Sequence, residues 1–224
     1  YMLGIDIVIP DITYLKKNIE KVKAFLITHG HEDHTGALPF VLREINAPIY
    51  GTALTIGLIE EKLEEFGLLG STTFETVRPR DRVVIGPFDI EFIRVSHSIV
   101  DGCGLAIRTP VGVVVHTGDF KMDQTPVDGE VMDYARFSQY GEAGVLLFMS
   151  DSTNVEKEGY TLSEREIGYN LEEIFRKCDG RIIVAAFSSN IHRIQQVVDA
   201  AEKFGRKVIL NGKSMVANVR IARS

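Results

Sequence analysis

The chain has 224 residues, of which 45% are hydrophobic and 25% are charged, and this composition excludes a disordered or fibrous protein. A net charge of −6 argues against a protein that coats nucleic acid by bulk electrostatic attraction, although bound metal ions or local basic clusters can still attract a polyanion. Apolar runs stay shorter than the roughly 18 residues of a membrane span, and the start YMLGIDIVIPD lacks the pattern of a signal peptide. We therefore expect a soluble cytoplasmic protein without a membrane partner.

Short β-rich runs alternate with longer helical patterns along the chain, which predicts an α/β protein. Strands are predicted at residues 6–10, 23–29, 47–51, 89–97, 104–110, 112–119, 143–151, 180–188 and 206–212. Helices are predicted at residues 37–44, 52–66, 163–178 and 192–204. The polar stretch at residues 151–164 predicts a domain boundary near residue 158, so that 1–158 form a first domain and 159–224 begin a second. Both ends are abrupt, and we expect a fragment of a longer protein.

The segment HGHEDH, residues 29–34, follows the second predicted strand and holds three of the chain's six histidines. Imidazole and carboxylate groups are ligands for zinc-like ions, and a turn at the end of a strand can direct alternate side chains towards two neighbouring points. His29 and His31 can then share one ion while Asp33 and His34 serve a second. The alternative is a polar helix cap, in which Asp33 accepts hydrogen bonds from backbone N–H groups.

Two further strand ends carry groups of the same kind. His97 ends one predicted strand and Asp119 ends another, where Gly118 allows close approach of the backbone. Ligands gather at the carboxyl ends of strands in α/β proteins, which favours metal binding over an ordinary surface or core role for both residues. His116 lies inside an apolar run, and we interpret it either as a residue that orients a ligand or as a core histidine.

Other polar groups leave more than one interpretation open. Ser188, Ser189 and Asn190 end a predicted strand before a helix whose free N–H groups suit a phosphate, but Ser189 or Asn190 can equally cap that helix. Two basic clusters, RPRDR at residues 78–82 and the lysines and arginines of residues 206–223, are interpreted as ordinary solvated faces. Cys103 and Cys178 lie 75 positions apart, which indicates reduced core thiols.

The HGHEDH box, the histidine of SHS and the aspartate of HTGD resemble the metallo-β-lactamase superfamily over roughly residues 1–150. LLFMSDSTN resembles the acidic motif that opens its nucleic-acid-processing β-CASP branch, and AAFSSNIHRIQQ resembles the histidine motif of that branch. With LGIDIVIPD, nearly the whole chain resembles the ribonuclease J family. The implied fold is an αββα sandwich that lacks its first strands and C-terminal return, followed by the start of an α/β β-CASP domain.

The resemblance implies a site for two divalent ions, Zn²⁺ or Mn²⁺. It assigns His29, His31 and His97 to one ion. It assigns Asp33 and His34 to the other ion and places Asp119 between the two. Asp151 and His192 match the acidic and histidine motifs of the branch and join Asp33 and Asp119 as catalytic candidates. A seventh ligand is expected beyond Ser224, which would leave the second ion's ligand set incomplete.

The activity that the resemblance implies is hydrolysis of RNA phosphodiester bonds, as a 5′-to-3′ exonuclease and endonuclease in RNA maturation and decay, ribosomal RNA included. Two ions would activate a water molecule, Asp33 or Asp119 would orient it or take its proton, and His192 or a later histidine would assist the leaving oxygen. The expected partners are RNA and either a second copy or a paralogue. The alternatives are a small-molecule hydrolase of the same superfamily and a non-catalytic, metal-bound scaffold for RNA processing.

Overall fold

A computed structural model describes residues 4–5 and 7–223. Its helices are α1 (Thr13–Lys17), α2 (Glu32–Thr35), α3 (Leu38–Val41), α4 (Ala53–Glu65), α5 (Tyr134–Ala143), α6 (Glu164–Lys177), α7 (Ile191–Lys203) and α8 (Lys213–Ala222), with short 3₁₀ helices at Ile19–Lys21 and Leu69–Ser71. Its strands are β1 (Phe25–Leu26), β2 (Ile49–Gly51), β3 (Phe74–Thr76), β4 (Arg82–Ile85), β5 (Phe88–Arg94), β6 (Cys103–Thr109), β7 (Gly112–His116) and β8 (Leu147–Met149). The predicted α/β class is confirmed. No helix in this described part is both long and apolar enough to cross a membrane.

The strands form two sheets. The first has the order β1-β2-β3 with all pairs parallel, so the carboxyl ends of its strands lie at one edge. The second has the order β4-β5-β6-β7-β8 and is antiparallel except for the parallel pair β7 and β8. β8 lies at the edge of this sheet, and its three side chains are exposed.

Buried side chains show four layers in the order helix, sheet, sheet, helix. Ile49 of β2 packs with residues of α3 and α4 on the outer face of the first sheet. Phe92 of β5 belongs to a core against which Leu26 of β1 packs, between the two sheets. The next residue, Ile93, points to the opposite face, as alternation along a strand requires, and packs with Tyr140 of α5. The αββα sandwich that the family resemblance implied is therefore present.

Helices α6 and α7 enclose a separate, smaller core that contains Phe175 and Ala201. The loop after β7 holds the start of α6, because the buried carboxylate of Asp123 accepts a hydrogen bond from the backbone N–H of Glu164 at 2.8 Å. Lys121 of the same loop forms an ion pair with the Glu164 carboxylate at 2.8 Å. The domain boundary near residue 158 stays a prediction.

Helix α8 packs on α4 of the sandwich and also contacts α7. At Gly57 in α4, an added Cβ would lie 2.7 Å from Cγ2 of Ile221 in α8, so only glycine permits this approach. Lys213, at the start of α8, pairs with Glu65 of α4 at 2.5 Å. The two helices therefore connect the second part of the chain to the sandwich.

This packing predicts different effects for alanine at two helical glycines. At Gly141 in α5 nothing lies within 4 Å of an added Cβ, so Gly141→Ala should raise the free energy of unfolding by about 0.5–1 kcal/mol through helix propensity alone. Gly57→Ala should lose that gain, because its methyl group meets Ile221. Urea denaturation measures both variants. A larger stabilisation by Gly57→Ala than by Gly141→Ala would contradict the tight contact between α4 and α8.

Sequence patterns located the long helices correctly but missed other elements. The predictions for α4, α6 and α7 are confirmed to within a residue or two, whereas α3 is shorter than predicted. The elements that were not predicted are α1, α2, α5, α8, β3 and β4. The strands predicted at 180–188 and 206–212 are wrong, because neither pairs with a neighbour in the described chain, and Ile183 and Ile209 are 87% and 88% exposed. For the first predicted strand, Asp6 lies outside the described residues and 7–10 form no strand.

The two cysteines are free thiols, as predicted. Cys103 is buried between the sheets, where burial raises its pKa to about 12, so its thiol stays protonated and unreactive at neutral pH. Cys178 is only half-buried at the end of α6, and the prediction that it is a core residue is wrong.

Candidate metal centre

The candidate site is built on the loop that leaves the carboxyl end of β1. His29 is almost fully buried, and His31 has an extended backbone directly before α2. The carbonyl of His31 accepts hydrogen bonds from the N–H groups of His34 and Thr35 at 3.1 and 3.0 Å, so α2 begins at once. This turn brings the His34 ring back to the His29 ring, with centroids 4.1 Å apart. The HGHEDH segment thus gathers its three imidazoles in one place.

One group of nitrogen atoms comprises His29, His31 and His97. The Nε2 atoms of His29 and of His97 each lie 3.1 Å from Nδ1 of His31. A neutral Nδ1 offers either one proton or one lone pair, so it cannot form a good hydrogen bond with both neighbours. A tetrahedral ion with Zn–N bonds of 2.0–2.1 Å holds its nitrogens about 3.3 Å apart, which matches this spacing. The three side chains therefore fit a metal ion better than they satisfy one another.

A second group comprises His29, His34 and Asp119, and in both groups the candidate ligand atoms lie within 4.8 Å of one another. Asp119 Oδ1 is 3.4 Å from Nε2 of His34, while Oδ2 is 3.8 Å from Nε2 of His29 and 3.7 Å from Nε2 of His97. The Asp119 carboxylate thus lies between the two groups, with one oxygen towards each. Asp33 borders the second group, 3.5 Å from Nε2 of His34, but its side chain is 77% exposed and it is outside both groups.

The turn after β7 places Asp119. Gly118 has a φ of +61°, and an added Cβ would lie 2.8 Å from the Cys103 carbonyl oxygen and 3.1 Å from Cβ of Thr28. The predicted close backbone approach is confirmed. Nδ1 of His116 accepts a hydrogen bond from the N–H of Gly118 at 3.0 Å. His116 therefore contacts the backbone of the turn that carries Asp119, rather than a ligand side chain.

Gly118→Ala should destabilise the chain by about 1–3 kcal/mol and weaken its metal binding, because the methyl group combines an unfavourable φ with a backbone clash. Gly86→Ala is the matched control, since Gly86 has a similar φ of +56° with nothing within 4 Å of an added Cβ. Thermal unfolding and metal titration measure both effects. Equal losses of metal affinity in the two variants would contradict the role of Gly118 in placing Asp119.

The histidines of the first group are held in the form that binds metal. Burial, followed by the neighbouring imidazoles of His34, His97 and His31, lowers the pKa of His29 to about 2. Burial also lowers the pKa of His97 to about 4, and it lowers that of His31, where the nearby carboxylates oppose the shift. At neutral pH all three rings are therefore neutral and keep a lone pair for a cation.

Asp151 lies near the groups but not within them. Its backbone N–H donates to Oγ1 of Thr117 at 3.0 Å, and its Oδ1 accepts from the N–H and the hydroxyl of Thr153 at 2.9 and 2.7 Å. Burial opposes ionisation of Asp151, but the bonds from Thr153 hold its pKa below the usual range. Its negative charge acts on His97 and partly offsets the lowering of that pKa. The carboxylate therefore organises its own loop and also accepts a hydrogen bond from the backbone N–H of Phe120, in the turn that carries Asp119.

The second catalytic candidate of the β-CASP part, His192, lies at the start of α7. It is buried, with Nε2 3.2 Å from Oδ2 of Asp128, and it joins neither metal-ligand group. It lines a cavity that has His97 on another wall. The structure thus places His192 beside the candidate centre without bringing it to the ligand atoms.

The three residues proposed for phosphate binding separate in the structure. Asn190 caps α7, because its Oδ1 accepts a hydrogen bond from the N–H of Arg193 at 2.9 Å, which confirms the capping interpretation for this residue. Ser189 and Asn190 nevertheless line a cleft together with His31 and Asp33. Ser188 faces the neighbouring cavity between α4 and α8.

Sequence reasoning missed two neighbours that organise the site. Oγ1 of Thr28 lies 3.1 Å from Nδ1 of His29, which leaves Nε2 of His29 to face the other ligands. Asp128, the partner of His192, also escaped notice. A threonine before a histidine and an aspartate in a loop are too common for either residue to stand out.

The model of the Metallo-beta-lactamase superfamily matches residues 3–163, well over half of the chain. The chain therefore belongs to the metallo-beta-lactamase superfamily. A second model, that of the Ribonuclease J beta-CASP domain, matches residues 179–224. The resemblance read from the motifs is confirmed.

Curated relatives match over nearly the whole chain. Ribonuclease J of Thermus thermophilus is 49% identical over 228 residues, covering 99% of this chain and 40% of the relative. Ribonuclease J of Synechocystis sp. is 47% identical, and the match covers 99% of this chain and 35% of the relative. Ribonuclease J2 of Bacillus subtilis is 40% identical, and the match covers 99% of this chain and 40% of the relative. The chain thus spans about 40% or less of the length of these relatives.

A solved structure shows the same fold. It is that of a protein of unknown function from Enterococcus faecalis V583, with a TM-score of 0.60, 16% sequence identity, and coverage of 86% of this chain and 52% of that one.

Proposed function

We propose that the chain carries the metal-binding centre of a ribonuclease that hydrolyses RNA phosphodiester bonds, as an exonuclease and an endonuclease. The observation that supports this most strongly is that two groups of candidate metal ligands lie side by side at the strand ends, with the Asp119 carboxylate between them. The proposal draws its substrate from the relatives named Ribonuclease J.

In this proposal the chain's own residues first hold two divalent ions, Zn²⁺ or Mn²⁺. His29, His31 and His97 would hold one ion and Asp33 and His34 the other, with Asp119 between them. When bound, such ions supply Lewis acidity to a phosphoryl oxygen and make a water molecule more acidic. Asp33 turns outwards far enough to reach a substrate as well as an ion.

The remaining steps fall to side chains that border the two groups. Asp33 or Asp119 orients the attacking water and accepts its proton, since both are acceptors at the candidate centre. Ser189 and Asn190 face the same cleft as Asp33, where the Ser189 hydroxyl and the Asn190 side-chain amide can donate hydrogen bonds to a phosphate of the strand. His192, oriented by Asp128, assists the leaving oxygen, and Asp151 shapes the loop beside His97.

The proposal also extends to the setting of this activity. We place the chain in the cytoplasm, acting in RNA maturation and decay. A second copy or a paralogue is its proposed protein partner.

The test compares the longer protein that we expect to carry this chain with its H31A/H97A double variant, each with added Zn²⁺ or Mn²⁺, because the chain alone is expected to lack one ligand of the second ion. Both are incubated with 5′-monophosphorylated RNA, with nitrocefin and with a thioester. We expect the parent alone to shorten the RNA and both proteins to leave the other two substrates intact. Intact RNA in the presence of a metal-loaded parent would contradict the proposal. Lactam or thioester hydrolysis would favour a small-molecule hydrolase, and RNA binding without turnover would favour a scaffold.

A further inference from the structure

A cavity of about 430 Å³ lies beside the candidate metal centre, on the side of His97. Its walls come from the segments that follow β2, β3 and β5, from the loop before α5 and from the start of α7. Besides His97, six charged or titratable side chains line these walls, and these are Arg78, Arg94, Asp101, Asp128, Glu130 and His192. The volume falls within the range of about 300–1,000 Å³ that is usual for ligand sites.

Strand topology places this cavity and the metal ligands at the same edge of the first sheet. His29 follows β1, Thr52 follows β2 and Arg78 follows β3, and these three strands run parallel. Ligands of α/β proteins bind at this edge. Because neighbouring strands lie about 4.8 Å apart, Arg78 leaves the sheet roughly 10 Å from the line of β1. One extended strand of nucleic acid can therefore reach both places.

Arg78 differs from the other arginines of the RPRDR segment. Arg80 pairs with Asp133 at 2.9 Å, and Arg82 pairs with Asp89. The guanidinium of Arg78 makes no hydrogen bond or ion pair within residues 4–5 and 7–223, and only its backbone is used: the N–H donates to the Asp81 carboxylate and the carbonyl accepts from the N–H of Asp81. An unpaired guanidinium on a cavity wall is free to bind an anion, and its planar donors match a phosphate.

The other charged groups of the cavity are paired within the described chain, with one exception. Arg94 pairs with Glu130, and Asp128 contacts the buried His192 at 3.2 Å. The carboxylate of Asp101 makes no hydrogen bond or ion pair with any other described residue. As far as the described residues go, the cavity thus offers one free cation and one free carboxylate. A nucleotide of RNA carries groups that suit both, namely a phosphate and a ribose hydroxyl that can donate a hydrogen bond.

We propose that this cavity binds one nucleotide of an RNA strand next to the bond that is cut, with its phosphate on Arg78 and its 2′-hydroxyl donating to Asp101. This inference rests on the proposed ribonuclease function. It adds a subsite on the His97 side of the metal centre, separate from the cleft lined by Ser189 and Asn190.

The test measures binding of a fluorescent single-stranded RNA by anisotropy at several salt concentrations, with the parent chain and three arginine variants. Arg78→Ala should weaken binding about tenfold, and it should reduce the slope of log affinity against log salt by about 0.7, the value for one phosphate contact on a single strand. Arg78→Lys should restore most of the slope. Arg82→Ala is the matched control from the same segment and should keep the parental slope, since Arg82 is already paired.

A DNA strand of the same sequence tests the second contact. Asp101→Gly should reduce the preference for RNA over DNA, and glycine tolerates the φ of +64° at this position. An unchanged salt slope in Arg78→Ala would overturn the phosphate contact while leaving the ribonuclease proposal in place, and an unchanged RNA preference in Asp101→Gly would overturn the ribose contact. A parent chain that binds no RNA at all would overturn both the subsite and the ribonuclease proposal.

Discussion

Asp33→Ala is expected to lower the rate of RNA hydrolysis at least about 100-fold and to reduce the metal bound per chain, whereas Glu32→Ala should leave both close to the parental values. The two acids are adjacent, and their side chains are almost equally exposed, at 77% and 78%. They differ in their neighbours. Asp33 lies 3.5 Å from Nε2 of His34, while Glu32 turns to Lys62 of α4 and pairs with it.

Initial rates on RNA and metal analysis after dialysis measure this prediction. The Glu32–Lys62 pair is exposed on the glutamate side, and such pairs contribute only about 0–1 kcal/mol, so the Glu32→Ala chain should fold normally. If both variants lost metal alike, Asp33 would have no special role as a ligand. If neither lost metal, the second ion would depend on His34 and Asp119 without Asp33.

Glu91→Ala should lower the free energy of unfolding by about 1–3 kcal/mol, because it removes the buried acceptor of Arg136 and leaves the buried hydroxyl of Tyr140 without its partner. Glu91 is 2% exposed on the helix-facing side of β5. Its Oε2 accepts hydrogen bonds from Nη2 of Arg136 and from the hydroxyl of Tyr140, each at 2.6 Å. This network fixes α5 to the second sheet.

Asp89→Ala, on the same strand, is the matched control, since Asp89 pairs with Arg82 at the surface and its loss should cost at most about 1 kcal/mol. Urea denaturation compares the two variants. Burial opposes ionisation of Glu91, but the bonds from Arg136 and Tyr140 hold its pKa below the usual range. Its contribution to stability is therefore complete above the ordinary glutamate pKa of about 4.3, and it is lost as the pH falls below that value. Equal stabilities for both variants at pH 7 would contradict a structural role for the network.

The metal-ligand groups could be predicted because their chemistry is local in sequence. HGHEDH brings several ligand types into six residues, and His97 and Asp119 each lie three residues past the observed end of a strand that the apolar patterns predicted. Gly118 was also identifiable, since a glycine before a ligand at a strand end usually reflects a backbone constraint. Motifs of this kind need no knowledge of the distant packing that completes them.

Features that depend on distant contacts could not be predicted. The pairing of His192 with Asp128 joins residues 64 positions apart. The pairing of Arg80 with Asp133 joins residues 53 positions apart, and no sequence pattern distinguishes Arg80 from Arg78, which pairs with no described carboxylate. The segments 180–188 and 206–212 have the composition of strands, but composition cannot supply a neighbouring strand. The buried Glu91 illustrates the same limit, because its partners lie on a helix 45 residues later.

The edge strand β8 has a consequence for handling the protein. Leu147, Phe148 and Met149 are each about half exposed, and one side of this strand has no neighbour among the described residues. Unpaired backbone groups beside apolar side chains form a template onto which another extended chain can add. Self-association through this edge would grow with protein concentration, so light scattering over a dilution series should precede any measurement of rates or affinities.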